Sequence, residues 1–169
     1  MAEVIRPCTD QDLEVMFEVI NDAARAYKGV IPNDRFRAPD YMQREELSRE
    51  VEHGVRFWGF EQDSRLVGVM GLQDVDDVTL IRHAYVRTTH RRRGIGGRLL
   101  SDLRSRATRP LLVGTWAAAE WAIEFYRRHG FEMVSPDQMP VLLRRYWSIP
   151  ERQIETSVVL AEKTWLSRS

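Results

Sequence analysis

Arg91, Arg92 and Arg93 run directly into a turn carrying Gly94, Gly96 and Gly97, and an apolar helical pattern starts beyond them. The first turn of a helix has backbone N–H groups without partners and carries the positive end of the helix dipole. Glycines let a ligand approach the main chain closely. The matching guest is a phosphate or diphosphate. A solvated charge run is the commoner fate of adjacent like charges, but the glycines favour the anion site. Two known phosphate loops fit poorly. The Walker pattern needs Lys and Ser/Thr in a register that is missing here. The dinucleotide fingerprint needs a third glycine within a parallel unit, whereas "GIGGRL" lacks it and follows antiparallel strands.

An anion site here must be local. Lys plus Arg is 25 and Asp plus Glu is 25, a net charge of zero. That balance argues against a protein that coats nucleic acid or an anionic membrane. The basic stretch "HAYVRTTHRRR" is not matched by a recurring aromatic and basic surface, so no nucleic-acid partner is expected. Cys8 is the single cysteine, which excludes an intramolecular disulfide and a multi-cysteine metal site. It reads as a small buried apolar residue. No metal is expected. With no apolar leader and no long apolar run, the chain reads as cytoplasmic, without signal peptide or membrane partner.

The elements that carry the turn can be read from periodicity. At 169 residues the chain suggests one domain. A short strand at Glu3–Arg6 precedes Thr9, a helix cap followed by Asp10 and Asp12, and a helix to about Tyr27. A second helix spans 41–52. Segments 55–62, 64–75 and 78–86 form a three-stranded meander with turns at 62–64 and 76–77. Then come the arginine-glycine turn and a helix from about 95 to 108, stopped by Pro110. A strand at 111–116, a helix at 117–130 closed by Gly130, a strand at 131–135, a short helix at 136–146 and a strand at 154–163 complete the order. This is an α/β chain with mixed strand directions.

"RRRGIG" (91–96) matches the R/Q-x-x-G-x-G/A signature of the GCN5-related N-acetyltransferase (GNAT) family, and "AIEFYRRHGFEMV" (122–134) resembles its A-x-x-F-Y-x-x-x-G-F block. The two blocks stand in the family's order with the right elements between them. The resemblance implies a GNAT fold: a mixed, mostly antiparallel sheet of six to seven strands flanked by helices on both faces. It implies acetyl-coenzyme A as co-substrate, a small-molecule amine or peptide as acceptor, and direct attack in a ternary complex. A homodimer is compatible with it. A non-catalytic acyl-coenzyme A sensor, or an enzyme with another acyl donor or acceptor, is the alternative.

Carried over residue by residue, the resemblance puts the diphosphate on Arg91, Arg92, Arg93, Gly94, Ile95, Gly96 and Gly97, with Arg98 adding charge. The pantetheine arm runs beside Ala84, Tyr85 and Val86, where the family's strand splays from its neighbour and pairs with the arm as an added strand. Tyr126 aligns with the tyrosine that protonates the departing thiolate; phenols titrate near 10 and thiols near about 8.5. Core packing is an equal reading of Tyr126. The amine needs a base. His83 is the candidate, as a residue type that titrates near neutrality, although a single strand histidine is more often structural. Glu61 is the alternative. By strand alternation Arg82 faces away from His83. Where the family often carries Asn, this chain has Ala119. Segments 26–42 and 145–157 shape the acceptor mouth, with Arg35, Arg37 or Arg152 for an acidic acceptor and Asp34, Asp40 or Glu151 for a basic one. Trp116, Trp121 and Trp147 read as core or pocket wall.

Overall fold

The first helix begins at a reciprocal cap. Thr9 Oγ1 accepts the Gln11 N–H at 3.3 Å, and Asp12 Oδ2 accepts the Thr9 N–H at 2.7 Å. Short side chains thus satisfy donors that a helix entrance leaves open. Arg6 forks onto both Asp12 oxygens at 2.8 Å and also reaches Glu61 at 2.8 Å. The bond from Arg6 holds the Asp12 carboxyl down at about 2. A 3-10 turn over Asp10–Asp12 leads into α1 (Leu13–Ala23). A second 3-10 turn, Ala24–Tyr27, takes the place of the last helical turn expected there.

The computed structural model describes residues 2–31 and 41–167. Asp34, Arg35, Arg37 and Asp40, weighed above for acceptor charge, lie outside the described residues. The remaining helices are α2 (Arg44–Glu52), α3 (Ile95–Arg106), α4 (Glu120–Arg128), α5 (Gln138–Tyr146), α6 (Glu151–Glu155) and α7 (Lys163–Leu166). The strands are β1 (Glu3–Pro7), β2 (Arg56–Gln62), β3 (Arg65–Val75), β4 (Val78–Val86), β5 (Leu111–Trp116), β6 (Phe131–Met133) and β7 (Ser157–Glu162). They form one seven-stranded sheet in the order β1-β2-β3-β4-β5-β7-β6. The β1–β2, β2–β3, β5–β7 and β6–β7 ladders are antiparallel, and β4–β5 is parallel. The mixed, mostly antiparallel fold class expected from sequence is the one found.

The chain divides into two compact units, Met1–Gln73 with Arg82–Arg106, and Asp74–Ile81 with Ala107–Ser169. In the first, Met16, Phe17 and Ile20 of α1 pack with Leu47, Phe57 and Val69. β3 is buried continuously from Leu66 to Leu72 rather than alternately, the pattern of a strand covered on both faces. Asp63 and Ser64 take φ of 51° and 66°, the mirror-image turn that suits a two-residue hairpin. In the second unit, Leu80, Leu112, Leu143, Trp147 and Val159 share a core. The β4–β5 ladder there runs only from Thr79↔Leu111 to Ile81↔Val113, although β4 continues to Val86.

The sequence reading of 154–163 as one strand is corrected. Pro150 caps a short helix with Glu151 in its first turn, Ile154 is buried on that helix, and β7 starts at Ser157. A fixed φ and an early acid favour that start. Trp121 is 45% exposed, unlike Trp116 and Trp147. Cys8 is half-buried, and burial pushes its thiol up to about 12.

Gly71 on β3 is required by close approach. A Cβ there would stand 2.8 Å from Val55 Cγ1 and 3.0 Å from the Arg82 carbonyl oxygen. Gly71→Ala should therefore destabilise the fold by about 1–3 kcal/mol in urea unfolding. An unchanged midpoint would contradict the packing described.

Candidate functional site

Arg87 fastens the exit of β4. Its amide donates to the Val67 carbonyl at 2.8 Å and its Nε to the Leu66 carbonyl at 3.0 Å. A 3-10 turn, Thr88–His90, follows. The backbone then passes through left-handed φ at Arg92 (61°) and Gly94 (76°) before α3 begins. That conformation is uncommon for a side-chain-bearing residue and easy for glycine. Turns of this kind gather amides into an anion-binding concavity. Gly68 brings the start of α3 down onto β3: a Cβ there would meet Ile95 at 3.1 Å and Leu99 at 3.3 Å.

Among the described residues, no amide from Arg91 to Gly97 donates to a protein group. The arginines around these amides divide into two sets. Arg91 donates to the Ala23 carbonyl at 3.1 Å. Arg98, which the sequence suggested as added charge, is paired with Glu3 and lies over the Phe60 ring. Arg92 and Arg93 are exposed, and neither pairs with a carboxylate among the described residues.

His83 lies five residues upstream of Thr88 in β4, with φ of 55°. A left-handed residue inside a strand costs roughly 1–3 kcal/mol and persists where surrounding structure holds it. It also breaks strand alternation. Arg82 and His83, expected on opposite faces, both reach Glu50 of α2: Arg82 Nη2 and His83 Nε2 each lie 3.2 Å from Glu50 Oε1. The His83 approach is an ion-pair distance without hydrogen-bond alignment, which leaves Nε2 without a hydrogen-bond partner among the described residues. Phe57 stacks on the imidazole at 6.0 Å. Arg82 is itself anchored to Gln73 Oε1 at 2.8 Å. Burial pushes the Glu50 carboxyl up, but His83, Arg82 and His53 together outweigh it, and the net shift is down.

Glu61 is not brought to His83. Its carboxylate is held by Arg6, and it sits four residues along β2 from Phe57, about 13 Å at strand rise. Ala84, Tyr85 and Val86 are half-buried. Tyr85 stands edge-on to Tyr27 at 6.3 Å, and Tyr27 lies 5.5 Å from Tyr41. Burial, then the two neighbouring phenols, holds Tyr85 well above its ordinary value, so it stays protonated. In the second unit, Tyr126 is 6% exposed, with Phe125 at 5.1 Å and Phe131 at 5.7 Å. Ala119 occupies the N-cap position of α4 and makes no side-chain cap, which Asn would supply. Glu50 and the anchoring of the turn escaped the sequence reading. Glu50 lies in a charged helix where one carboxylate looks like the next.

No group of three or more His, Cys, Asp or Glu able to hold a metal stands among the described residues, and no helix there is long and apolar enough to cross a membrane. Residues 53–133 match the family model described as acetyltransferase (GNAT) domain. No curated protein sequence matches the chain. Among solved structures, a GNAT-family acetyltransferase from Staphylococcus aureus Mu50 is 18% identical, with 95% of this chain and 98% of that chain covered at a TM-score of 0.69. PaiA N-acetyltransferase from Thermoplasma acidophilum, in complex with coenzyme A, is 17% identical, with 96% and 99% covered and a TM-score of 0.69. The ribosomal-protein-S18-alanine N-acetyltransferase of Escherichia coli is 15% identical, with 95% and 93% covered and a TM-score of 0.65. At these identities the likeness is one of fold.

Glu50→Gln removes the anion shared by Arg82 and His83. It should cost about 1–2 kcal/mol at pH 7 in urea unfolding. The Glu50 pKa is lowered below the ordinary 4.5 in the folded chain, so its contribution is present above that value and is lost as pH falls through the lowered one. The gap between parent and variant should close in acid; a gap constant from neutral pH into the acid range would refute the pairing.

Proposed function

We propose that the chain, whose residues 53–133 match the GNAT acetyltransferase domain model, is an N-acetyltransferase acting as one domain. It moves an acetyl group from acetyl-coenzyme A to a primary amine. The observation that carries this reading is the row of undonated amides from Arg91 to Gly97, flanked by the exposed Arg92 and Arg93. That donor set suits a diphosphate. The thioester supplies the activated acetyl group; the chain supplies binding, orientation and proton transfer.

Arg91 to Gly97 hold the diphosphate, mostly through main-chain N–H. Ala84, Tyr85 and Val86 take the pantetheine arm along the backbone of β4; the β4–β5 ladder ends at Ile81, short of these residues. His83 receives the proton of the attacking amine. Glu50, 3.2 Å away, positions the ring and stabilises the imidazolium that forms. Glu61 is set aside as base, because Arg6 holds it at the other end of β2. Tyr126 keeps the role its alignment gives it, returning a proton to the thiolate. A backbone N–H of β4 stabilises the oxygen that becomes negative during attack.

A panel of primary amines assayed by thiol release from acetyl-coenzyme A tests the reading. Coenzyme A binding without release from any amine would instead establish a sensor. Gly96→Asp should abolish detectable coenzyme A binding by placing a carboxylate among the amides; undiminished affinity would remove the cradle from 91–97. Tyr126→Phe and His83→Gln should each lower kcat by about 10²-fold or more with coenzyme A affinity retained. Unchanged turnover in Tyr126→Phe would return that residue to packing alone.

A further inference from the structure

The turn that leads into the cradle has no cap of its own. Arg87 holds the N-cap position of the Thr88–His90 turn and makes no side-chain bond to it. The cap arrives from α1, 66 residues earlier in the chain. Asp22 Oδ2 accepts the Thr88 N–H at 2.7 Å, and Asp22 Oδ1 accepts the Thr88 hydroxyl at 3.3 Å. Two further contacts join the same elements. The Ala23 carbonyl accepts Arg91 Nη2 at 3.1 Å, and Glu18 Oε2 lies 3.6 Å from Arg87 Nη2. Glu18 and Asp22 are four apart on α1 and therefore share a face. Groups of α1 thus hold Arg87, Thr88 and Arg91.

We infer that Asp22 is a positioning residue for diphosphate recognition: it fixes where the 91–97 amides start. The inference rests on the reading that this cradle takes the diphosphate of coenzyme A. Electrostatics alone give no reason for an acid here, since a carboxylate near an anion site repels the guest. Arg25, 3.6 Å from Asp22 Oδ1, offsets part of that charge and contributes nothing to the cap. What Asp22 supplies is a pair of acceptors for a turn whose own N-cap residue offers none. An asparagine can still accept the Thr88 amide without the charge; an alanine cannot. A residue that merely stabilises the fold would weaken all ligands alike. A residue that sets the cradle weakens only ligands bearing the diphosphate.

Dissociation constants of coenzyme A and of pantetheine, which lacks the diphosphate, should be measured by NMR titration on the parent, Asp22→Ala and Asp22→Asn. Hydrogen exchange at the Thr88 amide reports the clamp without any ligand. Asp22→Ala should bind coenzyme A about tenfold more weakly and pantetheine as the parent does, with faster exchange at Thr88. Asp22→Asn should restore most of the coenzyme A affinity. Equal weakening of both ligands in Asp22→Ala, parental coenzyme A affinity, or unchanged Thr88 protection would each overturn the inference alone. A parent that fails to bind coenzyme A would overturn the functional reading and this inference with it.

Discussion

A helix that starts without a cap leaves amide hydrogens pointing at nothing, an arrangement proteins normally avoid. At α3 the first unit is built so that the chain can start this way. Gly68 admits Ile95 and Leu99 against β3, which fixes the helix from below. Arg87 ties the strand exit to Leu66 and Val67, and α1 ties the following turn through Asp22 and the Ala23 carbonyl. With both sides anchored, the segment between needs no internal bonds to hold its course through Arg92 and Gly94. The donors stay available because their neighbours, and not they, carry the structural load.

The same logic of borrowed support governs His83. A left-handed residue in a strand aims its side chain and its backbone off the regular pleat. Here it brings His83 and Arg82 to one carboxylate, Glu50, which no alternating strand would allow. Gly71 contributes by leaving room for the Arg82 carbonyl, 3.0 Å from where a Cβ would stand. The contacts around Arg82 and His83 thus come from α2, β2 and β3.

The sequence made the sheet and the glycine turn before α3 legible because both are written in local patterns. Strand-length apolar runs, Thr9 before Asp10 and Asp12, and glycines after arginines each speak about their own neighbourhood. It failed where a contact joins distant segments or where backbone leaves a regular period. Arg98 looked like part of a cationic cluster, yet Glu3 claims it from the start of the chain. Glu61 looked available on a neighbouring strand, yet Arg6 holds it. The alternation rule separated Arg82 from His83 because it assumes an unbroken pleat, and a φ of 55° is not visible in residue types. Pro150 before Glu151 was a readable helix start, masked by the β-rich run that follows it.

Charge balance acquires a meaning at the level of pairs. The chain carries equal numbers of cations and anions, but they are not matched evenly around the cradle. Carboxylates on α1 and β1 engage Arg87 and Arg98, and a carbonyl engages Arg91. Arg92 and Arg93 are left facing solvent beside the undonated amides. Surface pairs of this kind contribute little stability, so their consequence is better sought in the field they shape. Glu18 and Glu3 offset Arg87 and Arg98, which leaves Arg92 and Arg93 as the arginines between them that pair with no protein group among the described residues. A neutral protein can in this way present a small cationic mouth without attracting polyanions over the rest of its surface.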